Sequence, residues 1–388
     1  MKVERPFIEA MRQATQLVRT RGPMAATRFI QGLLHPKRAT PAGATVDGDV
    51  SVVDVDSVIK PVPETATGPA AQPWTLPTAS GQFLEQRYSG HSGARNYKLY
   101  IPSGDNTKAL PLVVMLHGCT QNPDDFATGT RANRWAEDKR CLVVYPEQIQ
   151  RANSHRCWNW FRPLDQQAGL GEPAIIAGIV RQVIDEYPVD PRRVYVAGLS
   201  SGGAMAAIMA REYPELFAAA GVHSGLAAGA AHDVSSAFAV MKSGRGSFAS
   251  SVGAVTATHR MVPLIAFHGD ADHTVNPANS ERLIENAVET YRLLNSQSPL
   301  LVSEHTIDAT EASHAIRRTR YSLKEGVSAI EHWLISGAGH AWSGGDSTGT
   351  FANPRGPDAT AAMLEFFAQH AVPASITEPA VMDSAAPM

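Results

Sequence analysis

The chain has 388 residues, with 34 Lys and Arg against 37 Asp and Glu, a net charge of −3, and 44% hydrophobic residues. That length holds one large domain with extensions or two small domains, and a charge so close to neutral gives no global signal for nucleic acid. Three cysteines are too few for a disulfide framework, and every apolar run falls short of the roughly 18 residues that cross a bilayer.

The charge is unevenly spread. Residues 1–38 carry eight Lys and Arg against Glu4 and Glu9, which leaves the remainder acidic. Residues 5–20 read as an amphipathic helix, with Phe7, Met11, Ala14 and Val18 on one stripe and Arg12, Gln16 and Arg19 away from it. Gly22-Pro23 ends it, and a second short helix is expected from Pro23 to Leu34. Residues 1–34 are therefore expected to dock on an anionic or apolar surface, such as a membrane or a polymer granule. The alternatives are a helical pair packed on the main domain and a targeting leader. Arg12 and Arg19 interrupt the apolar core that a secretory signal requires, which favours the cytoplasm, with granule association.

Residues 35–80 are rich in Ala, Pro, Thr, Val and Gly and read as a disordered linker. A globular domain is expected over 81–371, followed by a flexible tail over 372–388. Phe83–Ser89 and Arg95–Ile101 alternate in polarity and read as an antiparallel hairpin at a sheet edge. Leu110–Leu116 and Cys141–Tyr145 are buried-strand runs. A helix from Glu172 to Tyr187 follows, with Pro173 suited to its first turn. Further strands are expected at Arg193–Ala197, Ala220–His223, Pro263–Phe267 and Ser328–Ile335. A closing helix spans Ala359–His370 behind the cap Asp358. Leu226–Arg260 lacks strand signals and reads as a cap or a long surface loop. Strands alternating with helices predict an α/β fold with a mostly parallel, doubly wound sheet and flanking helices.

Val194–Met209 carries the strongest local signal. A strand run enters Gly198-Leu-Ser200-Ser-Gly202, and a run of small helix-compatible residues leaves it. In that context G-x-S-x-G describes a nucleophile elbow. The flanking glycines permit a tight turn, and the new helix aims its N-terminal amides at the serine. A serine hydroxyl needs a base, an acid that orients the base, and donors for the oxyanion. In α/β-hydrolases the chain order is Ser, acid, His. Here Ser200 precedes Asp272 in His268-Gly-Asp-Ala-Asp272, and His340 comes last in Gly337-Ala-Gly-His340-Ala-Trp-Ser-Gly-Gly345. Asp270 is the alternative acid. A metal reading of His268, Asp270, Asp272 and His273 is disfavoured, because so short a loop would rarely present its ligands tetrahedrally. His223 reads as structural. The oxyanion donors are expected at the backbone amides of Ser201 and Cys119, with Gly118 the alternative to the latter.

Taken together these residues resemble the poly(3-hydroxybutyrate) depolymerase family of esterases, an α/β-hydrolase group similar to feruloyl and acetylxylan esterases. The resemblance rests on Leu116–Gln121, Cys157–Phe161, Gly171–Pro173, Val189–Met205, His268–Asp272 and Gly339–Gly345. It implies Ser200 as nucleophile, Asp272 as acid, His340 as base, the Cys119 and Ser201 amides as oxyanion donors, and no cofactor. The implied substrate is a 3-hydroxyalkanoate polyester or its oligomers. A feruloyl- or acetyl-type carbohydrate esterase is the alternative within the class, and a non-catalytic granule- or membrane-coating protein the alternative outside it.

Trp158, Trp160 and Trp342 fall in segments expected to border the site, where they would wall an ester chain or simply close a core. Cys119 and Cys157 both fall in site loops. A disulfide between them would brace the oxyanion loop and would point to an oxidising compartment, secreted or periplasmic. Cys141 lies within a strand run and reads as a buried thiol.

Overall fold

The computed structural model describes residues 81–244, 260–310, 313–323 and 326–374. The expected docking segment 1–34, the expected linker 35–80 and the last residues of the expected tail lie outside the described residues.

The expected hairpin forms β1 (Gln82–Gly90) and β2 (Gly93–Ile101). The apolar runs form β3 (Leu110–Leu116), β4 (Leu142–Pro146), β5 (Val189–Leu199), β6 (Ala219–His223), β7 (Leu264–Gly269) and β10 (Ser328–Ile335). With β8 (Leu301–Ile307) and β9 (Ile316–Ser322) they build one ten-stranded sheet of order β1-β2-β4-β3-β5-β6-β7-β10-β9-β8. The block from β4 to β10 is parallel throughout. Antiparallel strands are confined to the two edges.

Helices cover both faces. Along β5, Val194 and Val196 turn to one face, and Tyr195, Ala197 and Leu199 to the other. The first face is closed by α3 (Gly171–Glu186), α4 (Ser201–Glu212) and α6 (Ala278–Leu294). The second is closed by α1 (Pro123–Thr130), α2 (Ala132–Lys139) and α7 (Ala359–Phe367). Each Leu, Ile or Val taken from water there contributes about 1.5–3 kcal/mol, so the central strands are held by burial on both sides. Local signals set the helix starts. Asn122 accepts the Asp125 N–H at 2.9 Å at the head of α1, and Asp358 accepts the Ala361 N–H at 3.0 Å at the head of α7.

Several parts depart from the sequence reading. Leu226–Arg260, expected as a cap or loop, contains the helix α5 (Val234–Ser243), started by a capping box between Asp233 and Ser236. Strand β9 was not anticipated, and neither was β8. Every one of its residues is exposed, so it carries no burial alternation, and pairing with β9 alone makes it a strand. Finally, the domain runs past 371. Val372 is buried, its N–H reaches the Arg192 carbonyl at 2.8 Å, and its own carbonyl accepts from the Arg192 guanidinium at 3.0 Å.

Strand order is what positions the chemistry. The loops after β3, β5, β6, β7 and β10 all leave the carboxyl ends of adjacent parallel strands, the edge where such sheets place their sites.

Candidate active site

Ser200 sits between β5 and α4 with φ 58° and ψ −116°. Positive φ is costly for a residue with a Cβ, so the neighbours must impose it. The Ser200 N–H donates to the His223 carbonyl at 2.9 Å, and the Ser200 carbonyl accepts the Ala204 N–H at 2.9 Å. The turn also needs Gly202. A Cβ there would run into the Leu116 carbonyl and come within 2.6 Å of the His117 carbonyl. The helix therefore starts hard against the end of β3, with the Ser201 amide in its first turn, where backbone N–H groups have no helical acceptor.

The loop after β3 faces this turn. Sequence reasoning left Cys119 and Gly118 as alternative oxyanion donors. The structure separates them, because the Gly118 N–H is already given to the Gln121 side-chain oxygen at 2.9 Å. The Cys119 amide has no partner among the described residues. The Ser201 hydroxyl lies 3.4 Å from Cys119 Sγ, so the two loops that carry the candidate amides touch. Cys119 and Cys157 are joined in a disulfide, and Cys141 is a buried free thiol whose pKa burial pushes up to about 12.

The Cys157 side of the bridge rests on buried polar groups. Glu172, almost fully enclosed, accepts from the Asn159 N–H at 2.7 Å, from Asn159 Nδ2 at 2.6 Å and from Gln148 Nε2 at 2.5 Å. Arg95 stands 3.8 Å away. Burial first, and then nearby Asp165, raise the pKa of Glu172. The Gln148 N–H donates to His117 Nε2 at 3.1 Å, so the His117 proton sits on Nδ1 and reaches the Gly118 carbonyl at 2.8 Å. Burial lowers the His117 pKa to about 4, which keeps that tautomer neutral. The oxyanion loop is thus held by a disulfide on one flank and a neutral histidine on the other. The double variant Cys119→Ser, Cys157→Ser is expected to lose up to about 4 kcal/mol of stability, from the loop entropy of a separation of 38 residues. It is also expected to lower kcat more than it raises KM, because the Cys119 amide loses its anchor. Denaturant melts and steady-state kinetics check this; lost stability with unchanged kcat would reduce the bridge to a staple.

On the other side of the elbow, β7 and β10 are neighbours, and their loops interlock. Asp272 Oδ2 receives His340 Nδ1 at 2.6 Å. Asp272 Oδ1 receives the N–H groups of Thr274 at 2.8 Å and Val275 at 2.9 Å. Burial alone would raise the Asp272 pKa. The hydrogen bonds from His268 and His340, the charge on His340 and the Val275 amide outweigh it and hold this carboxyl well below the usual range. Asp270, the alternative acid, is turned elsewhere: its carboxylate accepts the Gly337 N–H at 2.6 Å. His268 Nε2 reaches the Val275 carbonyl at 2.9 Å, leaving its buried Nδ1 without a partner among the described residues. Of the side chains in the disfavoured metal reading, those of His268, Asp270 and Asp272 are therefore spent on bracing two loops.

His223, at the end of β6 between these halves, does more than the sequence suggested. Its carbonyl holds the Ser200 N–H, and its Nε2 accepts the Ser343 N–H at 3.0 Å, three residues past His340. Its ring stacks between Phe267 and Trp342. Burial, then the nearby His268 and His340, lower its pKa to about 3. A neutral imidazole carrying its proton on Nδ1 therefore ties the serine turn to the histidine loop. Sequence reasoning could place His223 after a strand but had no means of showing which loop its ring would meet.

Of the two readings of the three tryptophans, a wall for an ester chain is corrected in favour of the closing of a core. Trp158 is 1%, Trp160 5% and Trp342 1% exposed. Trp342 packs on Phe126 and His223 and donates Nε1–H to Thr360 Oγ1 at 3.0 Å. Trp158 lies against the His117 ring. Trp158 and Trp342 brace loops from behind and Trp160 packs in the core beside Phe161, because indoles this large gain most by leaving water. The aromatic that does reach solvent beside His340 is Phe351, 45% exposed, which no sequence signal marked.

A serine elbow on β5, an acid after β7 and a histidine after β10 of a mostly parallel sheet define an α/β-hydrolase fold. The solved acetyl xylan esterase from Aspergillus awamori shares that fold, with a TM-score of 0.56 over 75% of this chain and 100% of that one at 21% identity. The chain belongs to the esterase PHB depolymerase family, which matches residues 95–312, more than half its length. Poly(3-hydroxyalkanoate) depolymerase C of Paucimonas lemoignei is 32% identical over 250 residues, 62% of this chain and 57% of that protein. Feruloyl esterase B of Neurospora crassa is 35% identical over 168 residues, 43% of this chain and 56% of that protein. The chain spans about half the length of these curated relatives.

Proposed function

We propose that this chain hydrolyses carboxylic esters by acyl transfer through Ser200, and that its substrate is a 3-hydroxyalkanoate polyester or its oligomers. The observation that carries the chemistry is the Asp272–His340 hydrogen bond of 2.6 Å, formed on the same sheet edge as the strained Ser200. Asp272 accepts a hydrogen bond from the Nδ1–H of His340, which leaves Nε2 unprotonated and able to act as a base. Ser200 Oγ attacks the ester carbonyl as its proton passes to His340. The tetrahedral oxyanion is held by the Cys119 and Ser201 amides, fixed in place before reaction begins. His340 returns the proton to the leaving alcohol. It then takes a proton from water, whose attack on the acyl-enzyme releases the acid and restores Ser200. Asp272 stays ionised throughout, and every step closes without a cofactor.

Family membership and the likeness to the Paucimonas lemoignei depolymerase support the polyester over other esters. The likeness to the Neurospora crassa feruloyl esterase supports a carbohydrate-linked ester as the competing substrate. Turnover of amorphous poly(3-hydroxybutyrate), a feruloyl ester and acetylated xylan by the purified protein separates them. Soluble 3-hydroxybutyrate oligomers are expected in excess over ferulate and acetate. The reverse order would sink the polyester assignment and leave the ester hydrolase standing. The basic, amphipathic pattern of residues 1–34 supports association with a granule or membrane surface. Of the two compartments considered, the Cys119–Cys157 bridge supports the oxidising one.

A further inference from the structure

Phe351 combines two features that are rarely met together. Its φ is 51°, in the left-handed region that bulky side chains avoid, and its ring is nearly half exposed to water. A strained backbone persists only where the surroundings impose it, and such strain gathers at functional sites. The surroundings here are specific. The Thr350 N–H donates to Asp125 Oδ1 at 2.8 Å, and Gln121 Nε2 donates to the Thr350 carbonyl at 2.9 Å. The Trp342 N–H donates to the Phe351 carbonyl at 2.7 Å, and the next residue, Ala352, pairs with Trp342 in a short parallel ladder. Gln121 is also the residue that holds the Gly118 amide. The groups that set the oxyanion loop and the histidine loop therefore set Phe351 as well.

The result is a phenyl ring edge-on to the His340 imidazole, with centroids 6.4 Å apart and planes 78° apart. Only part of that ring is used in packing. The rest forms open apolar surface beside the base, where the three buried tryptophans contribute none.

We infer that Phe351 contacts the alcohol portion of the ester and makes this site favour substrates whose chain continues, apolar, beyond the scissile oxygen. The inference rests on the Ser200–His340 reading. In acyl transfer the imidazole delivers its proton to the leaving oxygen, so the alcohol must depart alongside His340. The acyl part stays bonded to Ser200, on the side of the oxyanion amides. A ring touching the imidazole is placed to meet the first and not the second. A polyester meets this requirement at every internal bond, whereas an acetyl ester of a sugar presents a polar alcohol there.

The test uses the full chain and two series of esters. One series keeps the butyryl group and varies the alcohol from ethyl to hexyl. The other keeps the ethyl alcohol and varies the acyl chain from butyryl to octanoyl. In Phe351→Ala the hexyl-over-ethyl ratio of kcat/KM is expected to fall about tenfold, the scale of losing a large apolar contact in a pocket. The octanoyl-over-butyryl ratio is expected to hold. Phe351→Leu should restore much of the hexyl preference. Phe351→Asn tolerates left-handed backbone and should behave as the alanine variant does, which separates lost contact from lost loop geometry. Equal losses on all alcohols, or an effect that follows acyl length, would overturn this inference and leave the esterase reading intact. Failure of the unaltered protein to hydrolyse any ester of either series would overturn both.

Discussion

Replacing Ser200 by alanine is expected to lower kcat on a short-chain ester such as p-nitrophenyl butyrate by on the order of 10⁶-fold, the loss seen when a serine hydrolase is deprived of its nucleophile. What remains should be the small residual rate that oxyanion donors and binding supply on their own. The substitution keeps a Cβ at the same positive φ, and the two backbone hydrogen bonds that hold the turn do not use the hydroxyl. The fold should therefore survive, and an unchanged thermal unfolding midpoint would show that chemistry alone was lost. Adsorption to polymer granules should also survive, because residues 1–34 are untouched. Deleting residues 1–80 should do the opposite, sparing turnover of soluble esters and reducing adsorption. Undiminished hydrolysis by the Ser200→Ala protein would remove the elbow from the mechanism.

The Asp272→Asn variant is expected to cost about 10⁴-fold in kcat, the scale of presenting the wrong imidazole tautomer. The asparagine carbonyl can still face the Thr274 and Val275 amides, which hold Oδ1 in the native loop. Its NH₂ then faces His340 Nδ1. A donor cannot meet a donor, so the proton moves to Nε2 and the base is lost. The same variant reports on stability. The Asp272 pKa is depressed in the folded chain. Its charge therefore stabilises the fold fully above the unfolded carboxylate value of about 4, and that contribution is lost as pH falls toward the folded pKa. Urea melts across pH should show the native protein ahead of Asp272→Asn at neutral pH, with the gap closing in acid. A gap that widens in acid would mean that Asp272 is not held as an ionised acceptor.

Much of the frame was written in one dimension. Leu110–Leu116 and Cys141–Tyr145 read as buried strands because both faces of the sheet are covered, and a doubly buried strand is simply a run of apolar residues. The elbow was legible because a strand, two glycines around a serine and a helical run must stay contiguous to work. Asp270 and Asp272 could not be separated so easily. They lie two residues apart, and only the packing of the β7 and β10 loops turns one to Gly337 and the other to His340. Gly118 and Cys119 differed for the same kind of reason, since a glutamine three residues on from Gly118 removes its amide from use.

The tryptophans and Phe351 mark the limit most plainly. Trp158, Trp160 and Trp342 stand in the motifs and Phe351 does not, yet the motif residues are buried and the unmarked one is open beside His340. Sequence alone determined the alternation of strands and helices, the serine in its turn and the order of the polar groups that follow, because each depends on neighbours along the chain. Tertiary structure alone decided which carboxylate meets the imidazole, which amide stays free and which aromatic faces water. Those outcomes depend on side chains far apart in the chain that meet only when β6, β7 and β10 lie side by side, and on hydrogen-bond partners that leave some groups free by occupying others.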